Sequence, residues 1–186
     1  SRPNCSHTTE DCVAMIRDAS RKMYEVEDGF YVLSTWPRED SRTGEKMMPI
    51  WRVEKDGSGK EIIAEIPEAG SVNYTIFQDK IYYTMEDAQE DGNYQFSIWQ
   101  MSLDGKDNKQ IWQSDLYSGY IDTLQGIGDW LYVSENGCEE IIDWTNEDSI
   151  DFEKLPMRTN LYLYQPQAEE WITNPDEYKK EDVLLS

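Results

Sequence analysis

The sequence of 186 residues predicts an all-β fold made of about three repeated units, each a small antiparallel sheet of four strands. A short aromatic strand pattern recurs 51 and then 50 residues further along, at 28–32, 79–83 and 129–133. A second strand follows each copy. In the first two repeats this second strand is followed by Asp56-Gly57 and by Asp104-Gly105, respectively. Asp-Gly is a turn signal that reverses the chain in a β-hairpin. A repeated strand–turn–strand pattern therefore underlies the prediction.

Each repeat adds one strand before this pair and one after it. Residues 23–26, 72–77 and 120–124 are predicted as lead-in strands, and residues 62–63, 111–112 and 171–172 as final strands. The second strands are predicted at 50–53, 98–101 and 161–164, and the third repeat has Gln165-Pro166-Gln167-Ala168 in place of Asp-Gly. Four strands in about fifty residues is the size of a β-propeller blade.

The blades are predicted at about 22–70, 71–117 and 118–175, after a lead segment at 1–21 and before the start of a further strand at 182–186. In Ile81–Met85 both alternating sets of side chains are bulky, as expected for a blade covered on both faces. Tyr31, Tyr82 and Tyr132 share one register and are predicted core residues. Three blades do not close a propeller, so we expect an arc of a larger one.

The charge balance disfavours several classes of partner. The chain has 17 basic and 38 acidic residues and a net charge of −21. Such a field repels phosphate backbones and anionic lipid, so neither nucleic acid nor a membrane surface is an expected partner. No apolar run is long enough for a membrane helix, so we expect no membrane insertion by this segment.

The lead segment carries three potential soft metal ligands, Cys5, His7 and Cys12. Zinc requires four ligands, and this spacing is not that of a standard finger. The three residues are therefore compatible with a Cys5–Cys12 disulfide, with free thiols or with a metal site, in that order of preference. His7 is the only histidine, which argues against a hydrolase of the serine or cysteine type.

An acidic stretch at 134–159 replaces a short loop in the third repeat. Clustered carboxylates can bind calcium, with Asp143, Asp148 and Asp151 as weak candidates, or can act in pairs on a glycosidic bond. The stretch lacks the spacing of a calcium loop, so a solvated acidic loop with an aromatic anchor is favoured. Its acidic residues are Glu135, Glu139, Glu140, Asp143, Glu147, Asp148, Asp151 and Glu153.

Two further loops, 36–47 and 86–94, connect the equivalent strands of the first two repeats. All three insertions are therefore predicted on one rim, where repeat proteins commonly bind partners. Trp36, Tyr94 and Trp144 are the candidate contact aromatics on this rim. Packing of each ring against its own blade is the favoured alternative.

Residues 50–59, 81–84 and 98–105 resemble the YWTD-type β-propeller signature. More narrowly, residues 22–173 are similar to the TolB-like propeller domains in secreted or lipid-anchored surface proteins of Gram-positive gut bacteria. This resemblance implies an extracellular or bacterial cell-surface location, with a lipid anchor upstream. It implies blade architecture but no particular activity.

These observations predict a non-enzymatic extracellular binding module whose loop rim contacts a protein, a peptide or a glycan. No catalytic residue is predicted, and no cofactor apart from calcium. The remaining blades of a parent propeller are a further expected partner. The alternatives are a carbohydrate-active enzyme with paired carboxylates and a calcium-stabilised structural domain.

Overall fold

The computed structural model describes residues 19–27, 29–34, 37–39, 41, 43–56, 59–67 and 73–174. Cys5, His7, Cys12, Trp36 and the strand predicted at 182–186 lie outside these residues. Within them almost every segment is a strand or a turn, and the one helical segment is a short 3₁₀ helix at Trp144–Ser149. No helix in this part of the chain is long and apolar enough to span a membrane.

The described strands form three antiparallel sheets in chain order. Each sheet has four principal strands, so the predicted fold class of four-stranded antiparallel β-blades is confirmed. The first sheet contains β1 (Ala19–Val26), β2 (Gly29–Ser34), β3 (Arg38–Glu39), β4 (Lys46–Glu54) and β5 (Glu61–Pro67). The second contains β6 (Tyr74–Phe77), β7 (Lys80–Ala88), β8 (Tyr94–Ser102) and β9 (Lys109–Gln113). The third contains β10 (Tyr117–Ile127), β11 (Trp130–Cys138), β12 (Met157–Gln165) and β13 (Glu170–Thr173).

Several strands are longer than the sequence pattern predicts. β7 runs to Ala88, where it pairs with Tyr94, and β11 runs to Cys138, where it pairs with Met157. Residues assigned to loops are therefore strand residues, because their backbone groups find partners across the hairpin even where the side chains are polar. The two-residue strand β3 was not predicted and pairs with β4 within the first insertion.

The chain divides into two compact units, residues 1–68 with 103–106 and residues 69–102 with 107–186. In the first unit, Tyr31, Val32 and Leu33 of β2 are all buried, although neighbouring residues of a strand point to opposite faces. Both faces of this strand are therefore covered, as predicted for a blade.

In the second unit, the second and third sheets pack face to face. Tyr82 and Ile98 of the second sheet share one core with Leu131, Val133 and Tyr164 of the third, and all five are buried. The Tyr82 and Tyr164 rings meet edge to face, with centroids 6.4 Å apart. Aromatic pairs of this kind add roughly 0.5–1.5 kcal/mol beyond the area they bury, so these rings contribute substantially to the contact between blades.

The three tyrosines that share one register in the sequence are not equally buried in the structure. Tyr31 and Tyr82 are buried, as predicted, whereas Tyr132 is half-buried. Tyr132 lies on the face of the third sheet opposite the shared core, because its neighbours Leu131 and Val133 point into that core.

Gly126, at the end of β10, allows the two sheets of the second unit to approach closely. A Cβ atom at this position would lie 2.1 Å from Cδ2 and 2.4 Å from Cγ of the Phe77 ring. Phe77 packs against the shared core. Glycine is therefore required here for space and not for a special backbone angle.

We expect Gly126→Ala to lower the free energy of unfolding by roughly 1–3 kcal/mol, the usual cost of overpacking a core. Denaturant unfolding followed by tryptophan fluorescence would measure this loss. Gln125→Ala, at an exposed position of the same strand, is the matched control. If Gly126→Ala and Gln125→Ala proved equally stable, the packing of Phe77 over this glycine would be refuted.

Candidate functional site

The most unusual buried group of the second unit is the carboxylate of Glu135. Leu131, Val133 and Glu135 alternate along β11 and point into the space between the second and third sheets, and the side chains are 0%, 0% and 1% exposed. Glu135 thus occupies the same inward-facing side of β11 as the apolar residues Leu131 and Val133, and it is as deeply buried as they are. Ionised carboxylates are rarely buried without compensating hydrogen bonds.

Both oxygens of Glu135 have hydrogen-bonding partners. Tyr162 of β12 donates its hydroxyl hydrogen to Oε2 over 3.0 Å, and the Ser114 hydroxyl makes a short contact with Oε1. Ser114 follows β9 of the second sheet, while Glu135 and Tyr162 belong to the third. The carboxyl group therefore connects two blades through hydrogen bonds.

The hydrogen-bonded chain continues on both sides of the carboxyl group. Asn174 donates to Asn160 over 3.1 Å, and Asn160 donates to the Tyr162 hydroxyl over 2.8 Å. At the other end, the Ser114 hydroxyl accepts a hydrogen bond from the Leu116 amide at 2.8 Å and lies 3.1 Å from the Leu116 carbonyl. A continuous polar network thus extends from Asn174, just after the edge strand β13 of the third sheet, to Leu116, in the segment that connects β9 to β10.

Burial raises the pKa of Glu135 above that of an ordinary glutamate, and nearby Asp115 adds to the rise. The hydrogen bonds from Ser114 and Tyr162 oppose this effect because they favour the ionised form. Burial also raises the pKa of the Tyr162 hydroxyl, so Tyr162 remains a hydrogen-bond donor at neutral pH. A protonated Glu135 fits the network as well, because Ser114 could then direct its own hydrogen to the Leu116 carbonyl.

A second polar contact anchors the acidic loop, which is the part of the acidic stretch that lies between β11 and β12, residues 139–156. The buried side chain of Asn93, in the turn between β7 and β8, donates to the Ile142 carbonyl over 2.8 Å. It also accepts hydrogen bonds from the Ile142 amide at 3.0 Å and from the Ser118 hydroxyl at 2.9 Å. One amide side chain thus satisfies both backbone groups of Ile142 and fixes the start of the loop.

The carboxylates of the acidic stretch do not converge on one point. Asp143 accepts hydrogen bonds from the amide and hydroxyl of Thr145, Asp151 pairs with Lys154, and Glu139 pairs with Arg158 at 3.0 Å. Asp148 and Glu153 are exposed. In the part of the chain that the structure describes, no group of three His, Cys, Asp or Glu residues could hold a metal ion. The structure therefore does not bring Asp143, Asp148 and Asp151 together as calcium ligands.

The described rim aromatics pack against the protein. Trp144 is half-buried and lies over Gly92. A Cβ atom built on Gly92 would be 3.5 Å from Cδ1 of the Trp144 ring. The centroids of the Trp144 and Phe152 rings are 6.4 Å apart. Tyr94 is half-buried and meets Phe96 edge to face at 5.9 Å. Trp144 thus packs on the β7–β8 turn of the second sheet and not on its own blade, whereas Tyr94 is the first residue of β8 and packs within its own blade. Phe152 is 61% exposed.

Sequence reasoning missed Glu135 as a buried residue because it grouped this glutamate with the exposed acidic stretch. The available signal was the alternation of Leu131, Val133 and Glu135, which continues the inward face of β11. Asn93 and Ser114 carried no signal, because their partners lie 49 and 21 residues further along the chain.

We expect the stability of the wild-type protein, relative to that of Glu135→Gln, to fall as the pH rises above the ordinary glutamate pKa of about 4.3. A raised pKa means that the folded state binds the proton more tightly than the unfolded state. The stabilisation is therefore fully present below the unfolded pKa, about 4.3, and is lost as the pH rises through the folded value. Denaturant unfolding at several pH values would measure this trend.

Glu140→Gln, at an exposed position, is the control and should leave the pH dependence close to that of the wild type. Parallel stability curves for wild type and Glu135→Gln across the whole range would show that Glu135 titrates alike in the folded and unfolded states.

We expect Asn93→Ala to loosen the acidic loop locally, because it leaves the Ile142 amide without its partner at a cost of roughly 1–3 kcal/mol. The Ile142 carbonyl keeps the hydrogen bond that it accepts from the Trp144 amide at 3.1 Å. Hydrogen exchange of the Ile142 amide should accelerate about tenfold or more, whereas amides in β7 should be little affected. Gln89→Ala, in the same turn but exposed, is the control. Unchanged exchange at Ile142 would contradict the anchoring role.

Comparison with known proteins finds solved structures with a similar fold but does not identify a family for this chain. No protein-family model matches the chain, and no curated protein matches it. Among solved structures, a mutant of Synechocystis apocarotenoid oxygenase matches with a TM-score of 0.48 and 9% identity over 78% of this chain. An ACO/RPE65 chimera matches with a TM-score of 0.48 and 10% identity, and a second mutant of the Synechocystis oxygenase with a TM-score of 0.46. This chain spans about a third of their length, 34% in each case.

These comparisons contradict the prediction of a non-enzymatic extracellular binding module, which is therefore wrong. The solved structures named here are oxygenases, which are enzymes, and none of them supports an extracellular binding role. At this level of similarity the oxygenases transfer neither an activity nor residue roles to this chain. The resemblance to TolB-like and YWTD-type propellers, and the secreted or lipid-anchored location, stay predictions.

Proposed function

We propose that this chain is a structural segment of a β-propeller, which keeps neighbouring blades in fixed register and whose described residues serve the fold and not catalysis. The observation that carries this proposal is the buried contact of Glu135 with Ser114 of one blade and Tyr162 of the next. A polar group buried between two sheets specifies one arrangement of those sheets, because any shift leaves it without partners.

The geometry of Glu135 favours a structural role over a catalytic one. In an open cleft, a carboxyl group with a raised pKa would be a candidate general acid. Here both carboxyl oxygens are occupied and the side chain is 1% exposed, so a substrate has no access to it. The other described carboxylates of the acidic stretch are exposed and do not form a cleft.

The partner that this role requires is a further β-blade. Tyr120, Ile127 and Leu161 of the third sheet are 52%, 47% and 38% exposed. Their register partners Asn136, Trp130 and Ser134 alternate with the inward residues of β11, so the three side chains lie on the face away from the shared core. An apolar sheet face of this kind is suited to packing against another sheet.

We expect the purified chain to self-associate reversibly through this face, with a second copy of the chain standing in for a further blade. In analytical ultracentrifugation, the average mass should rise above the 21.8 kDa of the monomer as concentration increases. Leu161→Asp and Tyr120→Asp should each shift this curve towards the monomer, because a charge on an apolar interface must be desolvated.

Phe152→Asp is the control, since Phe152 is 61% exposed, more than Tyr120 or Leu161, but lies on the acidic loop. A wild-type chain that remains monomeric at all concentrations would contradict the proposal. So would association that Phe152→Asp abolishes while Leu161→Asp and Tyr120→Asp leave it intact.

A further inference from the structure

An aromatic cluster lies where the second and third sheets meet, and its members are Trp112 of β9, Tyr162 and Tyr164 of β12, and Trp171 of β13. The centroids of the Trp112 and Tyr162 rings are 5.0 Å apart, and those of the Trp112 and Trp171 rings are 6.0 Å apart. Trp171 also stacks on Tyr164 at 4.7 Å. These distances are those of directly interacting aromatic pairs. Electron transfer between redox-active rings is fast at such short separations, so no cofactor is needed between them.

The aromatic cluster has one side near solvent and one side in the core. Trp112 and Trp171 are half-buried, whereas Tyr162 and Tyr164 are 5% and 2% exposed. Indole and phenol rings are among the side chains from which a single electron is most easily removed. An oxidant that contacts the two tryptophans can therefore receive an electron that originates from a buried tyrosine.

Tyr162 has a proton acceptor in place, which is the second requirement for this chemistry. A tyrosine that loses an electron becomes strongly acidic at its hydroxyl, so the electron leaves readily when a base takes the proton. Asn160 donates to the Tyr162 oxygen over 2.8 Å, which directs the Tyr162 hydrogen towards Oε2 of Glu135 at 3.0 Å. Burial raises the pKa of Glu135, so its carboxylate is a stronger base than that of an exposed glutamate.

The charge of the chain favours one class of oxidant. A net charge of −21 attracts cations and repels anions. The same sign holds next to the cluster, because Trp171 follows the exposed residues Glu169 and Glu170. Lys109 pairs with Glu169 at 2.7 Å, and Glu170 adds a further negative charge beside Trp171. A cationic oxidant is therefore concentrated near the two tryptophans.

We propose that the aromatic cluster is a redox-active site that gives one electron to a small cationic oxidant, such as a high-valent metal complex, and forms a radical on Tyr162. The oxidant takes an electron from Trp112 or Trp171, and Tyr162 replaces that electron. The O–H bond of Tyr162 breaks in this second step, and its proton binds to Oε2 of Glu135. The oxidant is thus reduced by one electron, Tyr162 becomes a neutral radical, and Glu135 becomes a neutral carboxylic acid. This activity goes beyond the structural role, and it is compatible with the burial of Glu135 because only an electron crosses the surface.

The test uses the whole chain, with tris(bipyridine)ruthenium(III) generated by a light flash as the cationic oxidant. Transient absorption and EPR spectroscopy should detect a tyrosyl radical that forms as a tryptophan radical decays. Tyr162→Phe should remove most of the tyrosyl signal and prolong the lifetime of the tryptophan radical. Tyr164→Phe is the matched control, because Tyr164 stacks on Trp171 whereas the described hydroxyl partners of Glu135 are those of Ser114 and Tyr162.

Two further variants test the proton acceptor and the route. Glu135→Gln keeps the size of the side chain but is a much weaker base, so the tyrosyl radical should form at least about tenfold more slowly, since a positioned proton acceptor usually contributes more than that. Trp112→Phe combined with Trp171→Phe should lower the tyrosyl signal to background. Trp99→Phe combined with Trp130→Phe, which changes two half-buried tryptophans outside the cluster, should leave the signal unchanged.

The proposal is overturned if Tyr162→Phe leaves the tyrosyl signal unchanged or if Tyr164→Phe removes it equally. A radical that forms as fast in Glu135→Gln as in the wild type would also overturn it, and so would a signal that survives the loss of Trp112 and Trp171. Tyr162→Phe removes a hydroxyl and keeps the ring, so it tests the radical site even if Glu135→Gln disturbs the contact between blades.

Discussion

A four-stranded sheet has two faces, and a repeat of about fifty residues cannot cover both of them by itself. The second unit of this chain solves the problem by packing the second and third sheets around Tyr82, Leu131 and Tyr164. Burial of these side chains provides most of the driving force, since hydrophobic burial scales with the apolar area removed from water. Everything else in the unit, including Glu135, depends on this face-to-face contact.

The buried polar network adds specificity to that contact. Apolar side chains tolerate small sliding motions, whereas Glu135 is satisfied only when Ser114 and Tyr162 are both in place. Desolvation of the carboxyl group opposes folding, and its hydrogen bonds offset that cost. Asn93 acts in a similar way at the rim, where it fixes the acidic loop through both backbone groups of Ile142. Hydrogen bonds thus define the register of blades that apolar packing holds together.

Exposed charges have a different role. The carboxylates of the acidic loop remain in solvent or pair with nearby basic side chains, and they contribute little stability, as surface ion pairs generally do. Lys109 of the second sheet pairs with Glu169 of the third at 2.7 Å, also at the surface.

Sequence patterns alone were sufficient for the architecture. The spacing of the aromatic strands, the Asp-Gly turn at residues 104–105 and the bulky residues on both sides of Ile81–Met85 all act over a few residues, so they can be recognised in a linear sequence. The strand order and the antiparallel pairing follow from short hairpin connections. Strand ends were less predictable, because polar segments such as 134–138 become strand through backbone pairing with residues 157–161.

Only the tertiary structure decided which polar residues are functional candidates. Glu135 is one of eight acidic residues in its stretch, and only the packing of β11 against the second sheet distinguishes it from the exposed ones. Ser114 and Asn93 acquire their roles from residues far away in sequence, which no local pattern encodes. Local propensity and periodicity determine the elements, whereas burial and charge at a site arise from contacts between elements.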